Sequence, residues 1–413
     1  MYLTREEERI LDGEVGEAAR RAMELLVKLG DAYGAERMVE VSSCHLVSCV
    51  YNVVYDSGLE IADMFYRMGA RFTVPTSLCT ASIPLEDAEK FLFPDEWVEK
   101  QLKLCMLYRA MGGLDNWTCI PYWNMNVPRY GEHIAWGESN CVSYANSVIG
   151  ARTNRYASYI ELCAAIVGRI PMIELHIPEN RRGDILVRVK GLDISSMTIK
   201  DYGALGYAIG LVSAGGIPVI DGIPEGVSKR MLRAMGAAAA SSGSVALYHI
   251  LGVTPEARSL EEAFGDDKPE DRVEICVEDV RKAYRELSTI EDGSVDLVFL
   301  GCPHYSIDQI GMAAYLLRGR RIHPGVEVWL ATDNLTYTLA CRMGYRDIIE
   351  GAGVKFMVGS CAMNAPTYTR GFKAMATDSA KTAHYAPMQA KTDVFYGSLE
   401  ECIRVALEGR IAR

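Results

Sequence analysis

The sequence predicts an α/β protein of several lobes, with helices layered on both faces of parallel sheets. From residue 273 onward, short apolar runs alternate with amphipathic segments, the order of strands joined by crossover helices. One of those runs, VDLVFL at 295–300, is apolar at five of six positions, as in a strand buried on both faces. At 413 residues, 49% hydrophobic and 23% charged, the chain is long enough for two or three lobes.

In chain order, residues 5–31 carry an apolar stripe through Ile10, Leu11, Val15, Ala18, Ala22, Leu25 and Leu26, which predicts one amphipathic helix. MVEVSSCHLV reads as a strand entering a loop, and GLEIADMFYRMG as a helix closed by Gly69. RFTVPTSLC reads as a strand that breaks at Pro75, DEWVEKQLKLCMLYRAMGG as a helix, and LDNWTCIPYW as a loop centred on Cys119. Between 201 and 260, helices rich in Gly, Ala and Ser flank the short strand IPVIDGIP, which implies close backbone packing. The acidic, Pro-containing stretch 259–272 is the expected surface linker between lobes 1–265 and 273–413. Beyond it come helix 277–288, strand 295–300, helix 306–318, strand 326–330, helix 336–344, strand 354–358 and a closing helix in EECIRVALEGRI.

A net charge of −11 argues against a nucleic-acid partner. No apolar run reaches the roughly 18 residues of a membrane span. The N-terminus is acidic and helical rather than a signal sequence, so a cytoplasmic location is expected. Neither GxGxxG, GK[ST], HExxH nor GxSxG occurs, which demotes nucleotide, zinc-protease and α/β-hydrolase chemistry.

Twelve cysteines are scattered along the chain. Cys105, Cys163, Cys276, Cys341 and Cys402 fall in apolar runs and are expected to be buried free thiols. Cys302 and Cys361 differ, because each follows an apolar strand and a glycine. Ligands of open parallel sheets bind beyond the carboxyl ends of the strands, so both thiols stand where a ligand would be held. Cys119 lies in a further loop. The paired spacings of zinc ribbons and ferredoxins are absent. Spacing alone therefore leaves two readings: three unrelated buried thiols, or a soft-ligand site assembled by the fold.

GESN at 137–140, YANSVIGARTNR, GAAAASSGSVALYHILGVTPEA, VFLGCPH and SAKTAHYAP resemble the aconitase X family over nearly the whole chain. The resemblance implies a multi-lobed aconitase-like architecture and a single large-subunit catalytic region over 1–413. It also implies an iron–sulfur hydro-lyase that dehydrates a β-hydroxy acid. Cys119, Cys302 and Cys361 match the family's ligands for an iron–sulfur cluster, expected to be [4Fe–4S] with one open iron; Cys141 is a competitor. Glu138 and Ser139 match catalytic positions. Ser48, Cys49, Val50, Cys79, Thr80 and Lys381 match substrate-binding positions, and Arg152 is added for its forked donors. His304 is a candidate to support the cluster, on even terms with a core role. The large-subunit pattern fills the chain, so the resemblance implies a small swivelling-domain partner that supplies a serine base. The substrate it points to first is (R)-5-phosphomevalonate, giving trans-anhydromevalonate 5-phosphate. Four places depart from that pattern: residues 48–50, 79–80 and 359–360, and Asp378. They make a 3-hydroxyproline-type or other hydroxy acid the alternative substrate. The alternative of another class is a non-catalytic iron–sulfur sensing protein.

Overall fold

In a computed structural model, residues 1–411 are described. Three parallel sheets form its frame. The first orders the strands Leu114–Trp117, Thr76–Leu78, Cys44–Leu46 and Ala135–Trp136. The second orders Asp271–Ile275, Ile185–Val189, Pro218–Asp221 and His249–Ile250. The third has five strands: Lys355–Val358, Glu327–Thr332, Leu297–Leu300, Ala374–Thr377 and Asp393–Tyr396. The predicted α/β class with parallel sheets is what the chain adopts.

The opening run explains the third sheet. Leu297, Val298, Phe299 and Leu300 sit in its middle strand, each with no exposed surface. Burying each such side chain stabilises the fold by roughly 1.5–3 kcal/mol. The helices Ile199–Ser213 and Lys229–Gly243 pack so closely that a Cβ added at Gly206 would lie 2.2 Å from the Met235 carbonyl oxygen. Their small residues permit this approach, as the composition predicts.

The N-terminal third differs more from expectation. The stripe over 5–31 is carried by two helices, Arg5–Leu11 and Glu17–Ala32, because the chain turns at Gly13 and Gly16, both at positive φ. The strand around Pro75 follows the proline rather than preceding it. The expected loop before Cys119 begins with the strand Leu114–Trp117. Residues 259–272 are mostly exposed, as expected, but hold the short helix Leu260–Phe264. The strand Asp271–Ile275 then pairs with Ile185–Val189, so a boundary near 273 cuts through a sheet edge. Two of the five cysteines expected to be buried are not: Cys276 is exposed at a helix start, and Cys341 is half-buried.

The first and third sheets are joined at their loops. Ala81 N–H donates to the Gly359 carbonyl at 2.8 Å, and the Ser360 hydroxyl donates to the Ala81 carbonyl at 2.9 Å. This brings the C-terminal ends of strands from both sheets to one place. Among the described residues, no helix is long and apolar enough to cross a membrane.

Gly301 ends the central strand at φ +99°, and a Cβ there would lie 2.3 Å from the Ala331 carbonyl oxygen. Gly301→Ala is therefore expected to cost at least about 1–3 kcal/mol, the range for overpacking. Urea denaturation of the purified chain measures this, and an unchanged midpoint would show that the strand end relaxes freely.

Candidate active site

Three strand ends deliver three thiols to one place. Cys302 lies two residues past Leu297–Leu300, Cys361 three past Lys355–Val358, and Cys119 two past Leu114–Trp117. All three line a single cavity of about 200 Å³, together with Cys79, Thr80, Glu138, Ser139, Asn140, Asn364 and Lys381. A larger cavity of about 570 Å³ lies near residues 154–157 and 173–175. It is lined by no thiol, so size does not single out the chemistry.

Local structure aims the polar groups. Glu138 is the N-cap of the helix Ser139–Tyr144 and accepts the Cys141 N–H at 2.8 Å. Lys381 stands in the first turn of the helix Ala380–Gln389 and makes an ion pair with Glu138. Its ammonium also donates to the Ser139 hydroxyl at 3.1 Å. The two side chains are only 16% and 11% exposed. Burial alone would raise the Glu138 carboxyl, but the Lys381 charge and the Cys141 N–H hold it below its usual value. Burial likewise opposes the Lys381 charge, and Glu138 and the nearby thiols overcome it, raising that group well above its usual value. Glu138 is thus an acceptor at neutral pH, not a proton donor.

The thiols are held from behind. Cys119 Sγ accepts the His304 backbone N–H at 3.2 Å, and its carbonyl accepts the Asn140 amide at 2.8 Å. The His304 ring bonds the Ser360 carbonyl at 2.8 Å, so it ties the Cys302 loop to the Cys361 loop. His304 therefore meets the Cys119 sulfur through its backbone N–H and braces the Cys361 loop through its ring. Contact with the Cys361 thiol, followed by the Lys381 charge, outweighs burial and brings Cys302 down to about 6. Cys361 is pushed up by the same contact and by burial.

Among the described residues, no three His, Cys, Asp or Glu side chains lie close enough to share one metal ion. An iron–sulfur cluster asks for something else: soft thiolate donors brought by several loops around an inorganic core. Cys119, Cys302 and Cys361 line one cavity with Lys381, a backbone N–H donates to the Cys119 sulfur, and the Cys302 and Cys361 thiols touch each other, so the donor types fit while these two sulfurs stand closer than a cluster would hold them.

Not every predicted residue reaches the cavity. Ser48, Cys49 and Val50 are fully buried and do not line it; Val47 does. The reason is Glu161, whose Oε1 accepts the N–H groups of Val47 at 3.0 Å and Ser48 at 3.3 Å and turns that backbone inward. Arg152 also lies elsewhere, in a β-bridge with His133. Cys141 donates its thiol to the Cys119 carbonyl at 3.1 Å and does not line the cavity. Cys79, Thr80, Glu138, Ser139, Lys381 and the three expected ligands do line it. Sequence reasoning missed Asn140, Asn364 and Glu161. Asn140, the last residue of GESN, and Asn364, three residues after Cys361, carried a signal in their places; Glu161 carried none.

The Lys381–Glu138 pair generates a stability prediction. Glu138→Gln or Lys381→Met alone leaves a buried charge without its partner and is expected to cost about 3–5 kcal/mol. The double variant should cost less than the sum, as denaturation in a double-mutant cycle will show. The folded Glu138 carboxyl titrates below its unfolded value. Its contribution is therefore in place above about pH 4.3 and is lost as pH falls through the folded value.

Comparison with known proteins follows the same outline. Residues 1–179 match the aconitase X first domain, 183–285 the second and 295–408 the third. The phosphomevalonate dehydratase large subunit of Methanothermobacter thermautotrophicus is 41% identical over 98% of each chain. That of Methanocaldococcus jannaschii is 38% identical over 98% of this chain and 100% of its own. The cis-3-hydroxy-L-proline dehydratase of Pseudomonas aeruginosa is 36% identical over 97% of this chain, but only 69% of its own length. The crystal structure of Thermococcus kodakaraensis aconitase X in its holo-form superposes with a TM-score of 0.88 at 36% identity, over 98% of this chain and 100% of that one. With its length matched by all three domains and its fold by a solved member, the chain belongs to the aconitase X family.

Proposed function

We propose that this chain is the large subunit of an iron–sulfur dehydratase that removes water from a β-hydroxy acid. The observation that carries the proposal is the meeting of Cys119, Cys302 and Cys361 with the Lys381–Glu138–Ser139 group in one cavity. The three cysteines would hold a [4Fe–4S] cluster. When bound, such a cluster supplies a Lewis acid, at the iron no cysteine holds, for a leaving hydroxyl and a carboxylate.

The chain's own residues do the rest. Lys381 presents a buried positive charge to an anionic substrate group. Glu138, held ionised, accepts a hydrogen bond from the substrate hydroxyl and fixes its direction. Ser139 accepts from Lys381 and turns its own hydroxyl hydrogen towards Glu138 Oε1 at 3.5 Å. Asn140 and His304 keep the Cys119 loop rigid. A base for the carbon-bound proton would come from a small partner subunit, as the family pattern implies in the form of a serine. Two sets of relatives support a second chain. Those named large subunits match this chain from end to end, whereas the cis-3-hydroxy-L-proline dehydratases extend beyond it by about a third.

The relatives matched from end to end make (R)-5-phosphomevalonate the first substrate to assay. A substrate without phosphate is the second reading. Among the described residues, Lys381 is the one basic side chain lining the cavity, and it is already paired.

Anaerobic reconstitution with iron and sulfide, followed by visible absorbance and a dehydration assay on a panel of β-hydroxy acids, tests the proposal. The complex with its small partner should turn over one of them, and the isolated chain should be nearly inactive. Cys302→Ala should lose the cluster absorbance and the activity together. A variant that loads iron and sulfide normally would remove Cys302 from the ligand set. Full turnover by the isolated chain would remove the partner from the mechanism.

A further inference from the structure

Arg233 has no role in the site described above, yet it touches all three of the matched domains. It projects from the helix Lys229–Gly243 of the second domain and is 3% exposed. Its Nη1 donates to the His304 carbonyl at 3.3 Å and its Nη2 to the Gln309 side-chain oxygen, both in the third domain. Its guanidinium lies 5.0 Å from the centre of the Trp123 ring, in the first domain. These contacts bracket the loop after Cys302. Gln309 Oε1 also accepts the Ser306 N–H at 3.3 Å and the Ser306 hydroxyl at 3.1 Å, so Arg233 holds the capped start of the helix Ile307–Leu317. His304, which Arg233 grips by its carbonyl, is the residue whose N–H meets the Cys119 sulfur at 3.2 Å. Trp123 lies four residues beyond Cys119. One guanidinium thus grips two thiol-bearing loops, one from the first domain and one from the third.

Stability alone does not account for an arginine here. Its fork is taken by neutral oxygens and a ring face rather than by a carboxylate. Asp378 acts on it only at longer range, across a small cavity that both line. Burying a cation in this way costs desolvation that an apolar side chain would avoid. What neither an apolar side chain nor a lysine supplies is a rigid fork for two acceptors together with a flat face for an indole. Arg233 also stands apart from the substrate: it does not line the cavity of the three cysteines. The adjoining cavity that it shares with Cys302 holds about 30 Å³, too little for a substrate.

We propose that Arg233 is a positioning residue: its fork and its stacking on Trp123 fix the His304 N–H against the Cys119 sulfur, and so set how the loops of Cys119 and Cys302 face each other. This inference rests on the dehydratase reading, because its effect is read through the group that the thiols would hold.

The test compares the cluster-loaded complex with its small partner as wild type, Arg233→Lys and Arg233→Met. Arg233→Lys keeps the charge and loses the fork. It should lower kcat about 10- to 100-fold, the range for groups that orient a metal ligand, with KM unchanged because Arg233 lies outside the substrate cavity. Its cluster should reduce at a more negative potential than the wild type's, since a hydrogen bond to a cluster sulfur favours the reduced state. Arg233→Met loses the charge as well and should shift the potential further in the same direction. Where Arg233→Met fails to fold, Trp123→Leu, which removes only the platform under the guanidinium, should show the shift in its place. An Arg233→Lys complex with the kcat and potential of the wild type overturns the inference and leaves the dehydratase reading standing. That holds even if its urea midpoint falls, since a lower midpoint alone marks a purely structural role. A change confined to KM overturns it too. A wild-type complex that dehydrates none of the β-hydroxy acids overturns the dehydratase reading, and this inference with it.

Discussion

The ion pair between Lys381 and Glu138 is the interaction on which the rest of the site depends. It joins residues 243 apart in sequence, one from the first segment and one from the third. Neither charge is tolerable alone at that depth, because desolvating an isolated ion costs several kcal/mol. Each therefore requires the other, and the pair fixes how the two segments meet. That meeting also sets the cavity's electrical character. Among the described residues, the one lysine that lines the cavity is matched there by one carboxylate.

The scaffold serves the same meeting. Parallel sheets put all their C-terminal strand ends on one edge, and two such edges face each other across the Ala81–Ser360 bridge. The loops there carry the chemistry, while the mostly buried strands behind them hold them still. Backbone groups contribute as much as side chains. The His304 N–H supports a sulfur, and the Val47 and Ser48 N–H groups are consumed by Glu161. In the same way a buried carboxylate shapes the pocket without touching it.

How much of this was legible depended on range. Three of the five strands of the third sheet were readable because they are apolar runs separated by helices with their own periodicity, whereas Ala374–Thr377 and Asp393–Tyr396 were not predicted. The helix Ala380–Gln389, which carries Lys381, escaped that reading because a proline lies inside it and its apolar stripe is weak. The strand Leu114–Trp117 escaped because its two middle residues, Asp115 and Asn116, are polar and break the apolar run. Among the site residues, the cysteines after glycine and the Glu138–Ser139 pair stood out by type and by resemblance. Ser48, Cys49 and Val50 were expected on the cavity because they match the family's substrate-binding positions. Their inward turn is caused by a glutamate more than 110 residues away.

The sequence by itself determined the class of fold, the identity of the thiols and the family, since these rest on local periodicity and on residue types that no packing can alter. Only the tertiary structure decided which of the candidates share one cavity, that Glu138 is held ionised, and that Arg152 and the loop at 48–50 stand outside. Those are properties of distance and desolvation between residues hundreds of positions apart, and a linear pattern carries no measure of either.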